Sequence, residues 1–395
     1  MSLLAFGLLA LPAAFAHPGH DLTEEAAERA AFMKRSPNTV RSCASQLERR
    51  GASKAAIARR QAIAQKARAK RSLKSPLVRR DFAAYNVSHE STLGVMYGDD
   101  ETLLFQDNST CILQPEVTQG PYYVDGELIR SEITEDQEGV PLYLDIQLVD
   151  TSTCEPVPAV YMDLWHCNAT GVYSGVAASG NGNSDDLTNL DATFLRGIIQ
   201  TDANGVAQYE SIVPGHYTSR KIQVHHPSYR PANKLRPTGA THIHVLAHNA
   251  NETIVRTNGT LLESNATTHS SHVGQIFFDQ DLISLVEATA PYSTNTQEIT
   301  LNSDDQILSE EAEDMDPFVE WVQLSDDITD GIMAWISIGI DPTADSEVSS
   351  AATIYKTGGV ANENSMGGMG GGDAPGGGNG TAPDGAMPSG TAPPS

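Results

Sequence analysis

Basic residues are scarce over most of this chain. Of its 25 Lys and Arg, sixteen lie at or before Arg80 and nine in all that follows. With a net charge of −25, the body of the protein is unsuited to nucleic acid, and its acidity serves solubility. Long apolar runs are missing too, except at the start. The segment MSLLAFGLLALPAAFA has the roughly 15-residue apolar length of a signal peptide and is too short to span a bilayer. Ala14-Phe15-Ala16 supplies a small-x-small cleavage pattern, so residues 1–16 are expected to be a signal peptide of a secreted protein. No other segment is apolar enough to cross a membrane, and no hydrophobic C-terminal tail offers a lipid anchor.

Cysteines are few: Cys43, Cys111, Cys154 and Cys167. In an oxidising compartment they suit two disulfides, with three connectivities open. A Cys154–Cys167 bridge is disfavoured, because the intervening PVPAVYMDLWH reads as extended strand at about 3.3 Å per residue, beyond disulfide reach. Seven Asn-x-Ser/Thr sequons, at Asn86, Asn108, Asn168, Asn251, Asn258, Asn265 and Asn379, point to a glycoprotein, with a glycosylated surface loop over 251–267.

Residues 17–80 form a basic unit rich in Ala, Glu, Lys, Arg and Gln, a helix-forming composition. Its dibasic pairs at 34–35, 49–50, 59–60, 70–71 and 79–80 leave two readings open: a removable prosegment, or a helical arm that packs on the main domain. The arm is preferred, since a discarded segment would have no use for Cys43. Residues 81–356 form the main domain, with β texture from about 110 to 345. The alternation in 140–149 continues over 160–165, further strands are expected over 194–200, 208–213, 241–247 and 274–278, and 201–205 reads as a turn. Short strands at this spacing indicate an antiparallel β-sandwich. Residues 357–395, almost all Gly, Pro, Ser, Ala and Asn, are expected to be a disordered tail.

The chemistry is concentrated in three motifs. Thr241-His-Ile-His-Val places His242 and His244 two apart on a strand, so both imidazoles face one side while Ile243 faces the other. Such a pair alone is as often structural as functional. Pro214-Gly-His-Tyr217 and Trp165-His-Cys-Asn-Ala-Thr-Gly-Val-Tyr-Ser174 add weight, because each tyrosine follows a glycine break at a strand end, where side chains can converge.

On these motifs, together with CILQPEVTQGPYYVDGELIRSEI, FLRGIIQTDANG and HVGQIFFD, the chain resembles the intradiol ring-cleavage dioxygenases from about Cys111 to Pro342. It is most similar to the secreted fungal branch related to the protocatechuate dioxygenase β subunit. The resemblance implies a non-haem Fe(III) held by Tyr173, Tyr217, His242 and His244. Two phenolates are hard anionic donors that favour the ferric state, and imidazole suits iron generally. It also implies that Tyr217 leaves the metal when substrate binds and takes a substrate proton. Tyr122, Tyr123, Arg196, Arg236 and Gln275 are the substrate-side candidates, with Arg220 a catalytic candidate; Tyr122 and Tyr123 read equally as core aromatics at a turn, Gln275 reads more simply as an ordinary strand residue, and Arg196 either fixes the pocket or pairs with an acid. The implied partners are a small aromatic diol and O2, with no nucleic acid and no membrane, and a homodimer is one assembly open to the chain. The alternative is a secreted, non-catalytic metal- or ligand-binding sandwich, since a fold does not dictate function.

One stretch departs from the pattern. The secreted relatives run from Pro-Gly-His-Tyr-x-x-Arg directly into Ala-Thr-His-Ile-His, whereas here KIQVHHPSYRPANKLRPTG intervenes and Gly239 stands where the arginine is expected. A genuine loop would leave Arg220 or Arg236 to reach the substrate. A retained intron would explain the same residues. Arg220-Lys221 can encode a GTAAG donor, Ala232-Asn233 a CTAAC branch sequence and Thr238-Gly239 a CAG acceptor. Splicing them fuses Arg to Ala240 in frame, and we prefer this reading. Sequencing of the mature transcript is expected to lack the codons for 221–239; transcripts carrying them at full abundance would establish the loop.

Overall fold

The computed structural model describes residues 40–74, 111–113, 120, 122–177, 180–183, 186–217, 239–248, 253–255, 260–263, 268–305, 308–309, 312, 316–348 and 350–362. The expected signal peptide, Arg220, Arg236, residues 221–238 and every sequon but Asn168 lie outside these residues, as does most of the expected tail.

The described chain opens with helices α1 (Val40–Arg49) and α2 (Ala52–Lys70), followed by strands β1 (Cys111–Leu113) and β2 (Val124–Asp125). Then come β3 (Pro141–Asp150), β4 (Tyr161–Trp165), β5 (Arg196–Gln200), β6 (Val206–Ile212) and β7 (His242–His248). Short strands β8 (Thr253–Val255), β9 (Leu261–Glu263) and β10 (Thr268–Ser270) precede β11 (His272–Phe277) and helix α3 (Gln280–Glu287). The last strands are β12 (Glu320–Gln323), β13 (Ile332–Ile340), β14 (Ser346–Val348), β15 (Ala352–Tyr355) and β16 (Gly358–Ala361).

Two sheets make the sandwich. One runs β1-β13-β3-β6 with β12 also on β13, and the other runs β11-β7-β4-β5. Between them Leu142, Leu144, Ile146 and Leu148 of β3 and Ile332, Ala334, Ile336 and Ile338 of β13 meet Met162, Leu164, Ile243, Val245 and Ile276 in one core. The expected strands are all present, and the Asp202 carboxylate closes the turn between β5 and β6 by accepting from Asn204 and Val206 N–H.

The β-sandwich is as expected and most of its pairs are antiparallel, but β13 lies parallel to β3 from Ile332 opposite Leu142 to Ile340 opposite Asp150. Parallel pairs belong where both faces are covered, and these two strands are buried almost throughout. The cover on the outer face is the N-terminal arm. Ala64 and Ala67 of α2 pack on Tyr143, Val322, Met333 and Trp335, and Cys43 and Leu47 of α1 pack on Val149 and Cys154. Alanine at these positions lets the helix approach the sheet closely. The polar members of the β3 alternation therefore face the arm rather than water. Asp145, fully buried, accepts two hydrogen bonds from Arg59, at 2.6 and 2.8 Å, while Arg60 lies over the Trp335 ring. Lys70 bonds Glu210, and Arg50 bonds the Cys154 carbonyl.

Cys43 is disulfide-bonded to Cys154, which ties the arm covalently to the sandwich. The expected second bridge is not formed at Cys167. That thiol is free and buried beside the Gly215 carbonyl, 3.3 Å away, and burial pushes its pKa up. Two further features are local, and the second corrects the expected tail. Asn168 closes a turn, its Oδ1 accepting from Thr170 and Val172 N–H and its amide donating to Gln137, so this sequon's side chain is already engaged. Gly358–Ala361, placed in the tail by composition, pairs with β15 as an edge strand because its backbone can satisfy a ladder without side chains to bury. Among the described residues no helix is long and apolar enough to cross a membrane.

Removing one partner of a buried ion pair strands the other. Arg59→Ala still leaves Asp145 with Arg60, 3.8 Å away, and Gln208, and is expected to lower unfolding stability by roughly 2 kcal/mol. Lys54→Ala, on the exposed side of the same helix, is expected to stay within about 0.5 kcal/mol. Equal losses in denaturant titrations would show that the arm does not depend on Asp145.

Candidate metal centre

Strand register sets the first half of the site. His242 and His244 sit on the face of β7 that points away from the sandwich core, while Ile243 and Val245 enter it. Trp165 on β4 is paired with His244 in register, and its ring stacks on the imidazole at 4.8 Å and 3°. Gln275 on β11 is opposite His244 from the other side, and Phe277 is opposite His242 with rings 5.7 Å apart. Among the described residues His244 Nδ1 has no hydrogen-bond partner, so on that side of the ring the stacked Trp165 holds its plane.

The tyrosines arrive on loops that two glycines press together. A Cβ on Gly215 would meet the Ala169 carbonyl at 2.4 Å, and one on Gly171, at φ +80°, would meet the His216 carbonyl at 2.3 Å. Any side chain there would push the Tyr173 loop off the Tyr217 loop. Asn181 clasps Tyr173 on both sides, accepting from its N–H at 2.7 Å and donating to its carbonyl at 2.9 Å, and Asn189 donates to the same carbonyl. Next to Tyr217, His216 is held by Glu287 at 2.8 Å and by the Gln297 carbonyl at 3.1 Å. Burial opposes its protonation, but the Glu287 carboxylate outweighs this and raises its pKa.

The four side chains converge. The Nε2 atoms of His242 and His244 are 3.0 Å apart. Ring centroids lie 5.2 Å apart for Tyr173 and Tyr217, 6.0 Å for Tyr217 and His242, and 6.1 Å for Tyr173 and His244. His242 Nδ1 is 2.6 Å from the Ala240 carbonyl, which can only accept, so this nitrogen carries the proton and Nε2 presents its lone pair to the centre. Asp305 anchors that carbonyl's residue by accepting from Ala240 N–H at 2.7 Å. The Tyr173 hydroxyl is buried and interacts with Tyr217 electrostatically, yet makes no hydrogen bond of acceptable geometry.

These features fit a metal. Two imidazole nitrogens bound at about 2.1 Å and near a right angle on one ion would be about 3 Å apart, as the two Nε2 atoms are. Burial, then the neighbouring Tyr217, pushes the Tyr173 phenol up, and burial does the same to Tyr217. Burial also holds both imidazoles unprotonated, with His242 adding to the effect on His244. Without a cation, four buried neutral groups would face one another with poor hydrogen bonding, whereas a trivalent ion would turn both phenols into anionic ligands. Among the described residues no group of three or more His, Cys, Asp or Glu could hold a metal, so the donor set is recognisable only when tyrosine is included.

Tyr122 is buried against both phenols, its ring 4.6 Å from Tyr173 and 5.8 Å from Tyr217. Tyr123 sits one layer back, 5.2 Å from Trp165. Gln275 is buried on the His244 side of β11. Arg196, a substrate-side candidate that could equally pair with an acid, directs its guanidinium at protein groups: Nη1 to Glu127, Nη2 to the Tyr122 carbonyl and Nε to Ser174. Arg220 and Arg236 lie outside the described residues. Position 239 faces the centre, since a Cβ there would be 3.2 Å from His242 Cε1 and 3.6 Å from the Tyr217 hydroxyl. Sequence reasoning passed over Gly120, whose Cβ would meet His244 at 2.9 Å, and over Asn181, Asn189 and Asp305. Only Gly120 was signalled, by its place in Gly-Pro-Tyr-Tyr; the others come from distant segments.

Residues 117–260, which include all four donors, match the family model Dioxygenase_C, described as "Dioxygenase". A catechol 1,2-dioxygenase of Pseudomonas sp. (strain EST1001) is 29% identical over 108 residues, or 26% of this chain. That match spans about a third (32%) of the relative's length. Among solved structures, an intradiol ring-cleavage dioxygenase from Tetranychus urticae is 25% identical, with a TM-score of 0.44, covering 60% of this chain and 98% of that one. Catechol 1,2-dioxygenase from Acinetobacter sp. ADP1 is 20% identical, with a TM-score of 0.35, covering 61% and 65%. On the sequence matches, the chain is similar to the intradiol ring-cleavage dioxygenase family.

Proposed function

We propose that the protein is an extracellular, Fe(III)-dependent intradiol dioxygenase that opens catechol-type diols with O2 to muconate-type diacids. The observation that carries this reading is the buried convergence of Tyr173, Tyr217, His242 and His244, two hard oxygen donors and two imidazole nitrogens, on one centre. Ferric iron held by these residues would supply the charge that ionises a diol and draws electron density from its ring. Both atoms of O2 enter the product as the bond between the hydroxyl-bearing carbons breaks, so no external reductant is consumed.

The chain's own residues divide the remaining work. Tyr217 is the most accessible of the four donors, 7% exposed against 0% for Tyr173, which suits it to give way to a diol and hold its proton at the phenol oxygen. Tyr173, clasped by Asn181 and Asn189, is the fixed phenol. The Trp165 stack keeps the His244 ring from turning, and the Ala240 carbonyl keeps the His242 proton on Nδ1. Burial excludes bulk water, which strengthens every electrostatic interaction at the centre. The apolar N-terminal segment, the sequons and the Cys43–Cys154 bridge support an extracellular setting.

Adding ferric salt to the metal-free protein is expected to produce a burgundy tyrosinate-to-iron absorption band. The loaded protein should then consume one O2 per diol across a panel of catechols. Tyr173→Phe should abolish or shift the band and lower kcat/KM by about 100-fold or more, a loss of roughly 2.7 kcal/mol in transition-state stabilisation. A colourless protein would contradict the donor set; a coloured one that consumes no O2 with any diol would favour the non-catalytic binding reading.

A further inference from the structure

Beside the four donors lies a group of buried ionisable side chains for which the reaction has no direct use. Arg196 is 1% exposed, Glu127 1%, Asp163 0% and His248 0%. Burying charge is costly unless each group is paired and bonded, so such a cluster needs a reason. Arg196 is its hub. Its Nη1 donates to Glu127 at 2.9 Å, its Nη2 to the Tyr122 carbonyl at 2.6 Å, and its Nε to the Ser174 carbonyl at 2.9 Å and to Ser174 Oγ at 3.2 Å. Ser174 Oγ in turn donates to the Phe194 carbonyl at 2.5 Å. Glu127 interacts with Asp163, which lies 3.5 Å from His248 Nε2 on β7. One planar cation on β5 therefore ties the Tyr122 segment to the Tyr173–Ser174 turn, and its partner Glu127, whose carboxyl is pushed up by burial and by Asp163, lies on the same face of the sheet as both histidines.

We infer that Arg196, oriented by Glu127, is a positioning residue: it fixes the Tyr173 phenol and the Tyr122 ring relative to the two histidines and does not touch the substrate. The inference rests on the iron reading above for its chemical consequence, but its geometric content does not. Acceptors on three residues, Tyr122, Glu127 and Ser174, are met by a rigid fork that lysine cannot imitate, because an ammonium on a flexible stem is a point donor. No other described side chain bonds both the Tyr122 carbonyl and Ser174. Partners that orient metal ligands from behind typically change metal affinity or activity by about 10- to 100-fold when removed.

The test compares the full-length wild type with Arg196→Lys and Glu127→Gln. In the ferric proteins, Arg196→Lys is expected to shift and weaken the tyrosinate-to-iron band, to weaken iron retention by about 10- to 100-fold, and to lower kcat with KM changed less than about threefold. Glu127→Gln, which keeps shape and a hydrogen-bond acceptor, should shift the band the same way by less, and it carries the test if Arg196→Lys fails to fold. In the metal-free proteins, amide exchange at 122–124 and 173–176 should speed up in either variant. A raised KM with an unchanged band would overturn the inference in favour of substrate contact, and an unchanged band with unchanged exchange would overturn it outright. If the wild type itself forms no band, the iron reading fails, and the exchange result alone decides whether Arg196 positions these segments.

Discussion

A strand can present two side chains to one point only if they are two residues apart, and His242 and His244 depend on that period. Their register on β7 aims both Nε2 atoms at the same spot, 3.0 Å from one another, while the residue between them is buried in the sandwich core. Every other element of the site is arranged around this constraint. Trp165 and Gln275, paired with His244 from either side, are where the ladder puts them. The two phenols, which no strand could bring to the same place, come in on loops. Those loops lie close enough only because Gly171 and Gly215 allow backbone to touch backbone.

The same face of the sheet explains why the centre needs support from behind. Buried phenols and imidazoles with few hydrogen bonds to other groups have little to fix their orientation, so stacking and main-chain anchors do it instead. Asn181 and Asn189 clasp Tyr173, Asp305 anchors Ala240, and Arg196 joins the Tyr122 and Ser174 segments. On the far sheet, the arm does comparable work for the fold. Asp145 on β3 and Trp335 on β13 would face solvent without α2, and Arg59 and Arg60 turn that face into a third buried layer. The basic character concentrated before Arg80 thus has a structural use against an acidic body.

The centre was legible in the sequence because its donors sit in short motifs whose spacing has a geometric meaning: His-x-His on a strand, and tyrosine after glycine at a strand end. The alternation in β3 and β4 was legible for the same reason. What stayed hidden depends on partners far away in the chain. The parallel pairing of β13 with β3 has no local signature, since a strand covered on both faces reads as a plain apolar run. Composition placed 358–361 in the tail because glycine carries no side-chain signal, although its backbone can still add an edge strand. For Arg196 the sequence left two readings, fixing the pocket or pairing with an acid, and only the folded chain shows Glu127, Tyr122 and Ser174 taking up its donors. The cysteine count was read as two pairs, but Cys167 lies against the Gly215 carbonyl as a buried thiol.

The claim on which all of this turns is that two phenol oxygens and two imidazole nitrogens bind one iron. X-ray diffraction from crystals of the ferric-loaded protein, collected on both sides of the iron absorption edge, measures that directly. The account predicts a single anomalous peak within bonding distance, about 2 Å, of Tyr173 Oη, Tyr217 Oη, His242 Nε2 and His244 Nε2. A peak elsewhere, or none at this point while the crystals contain iron, would contradict it.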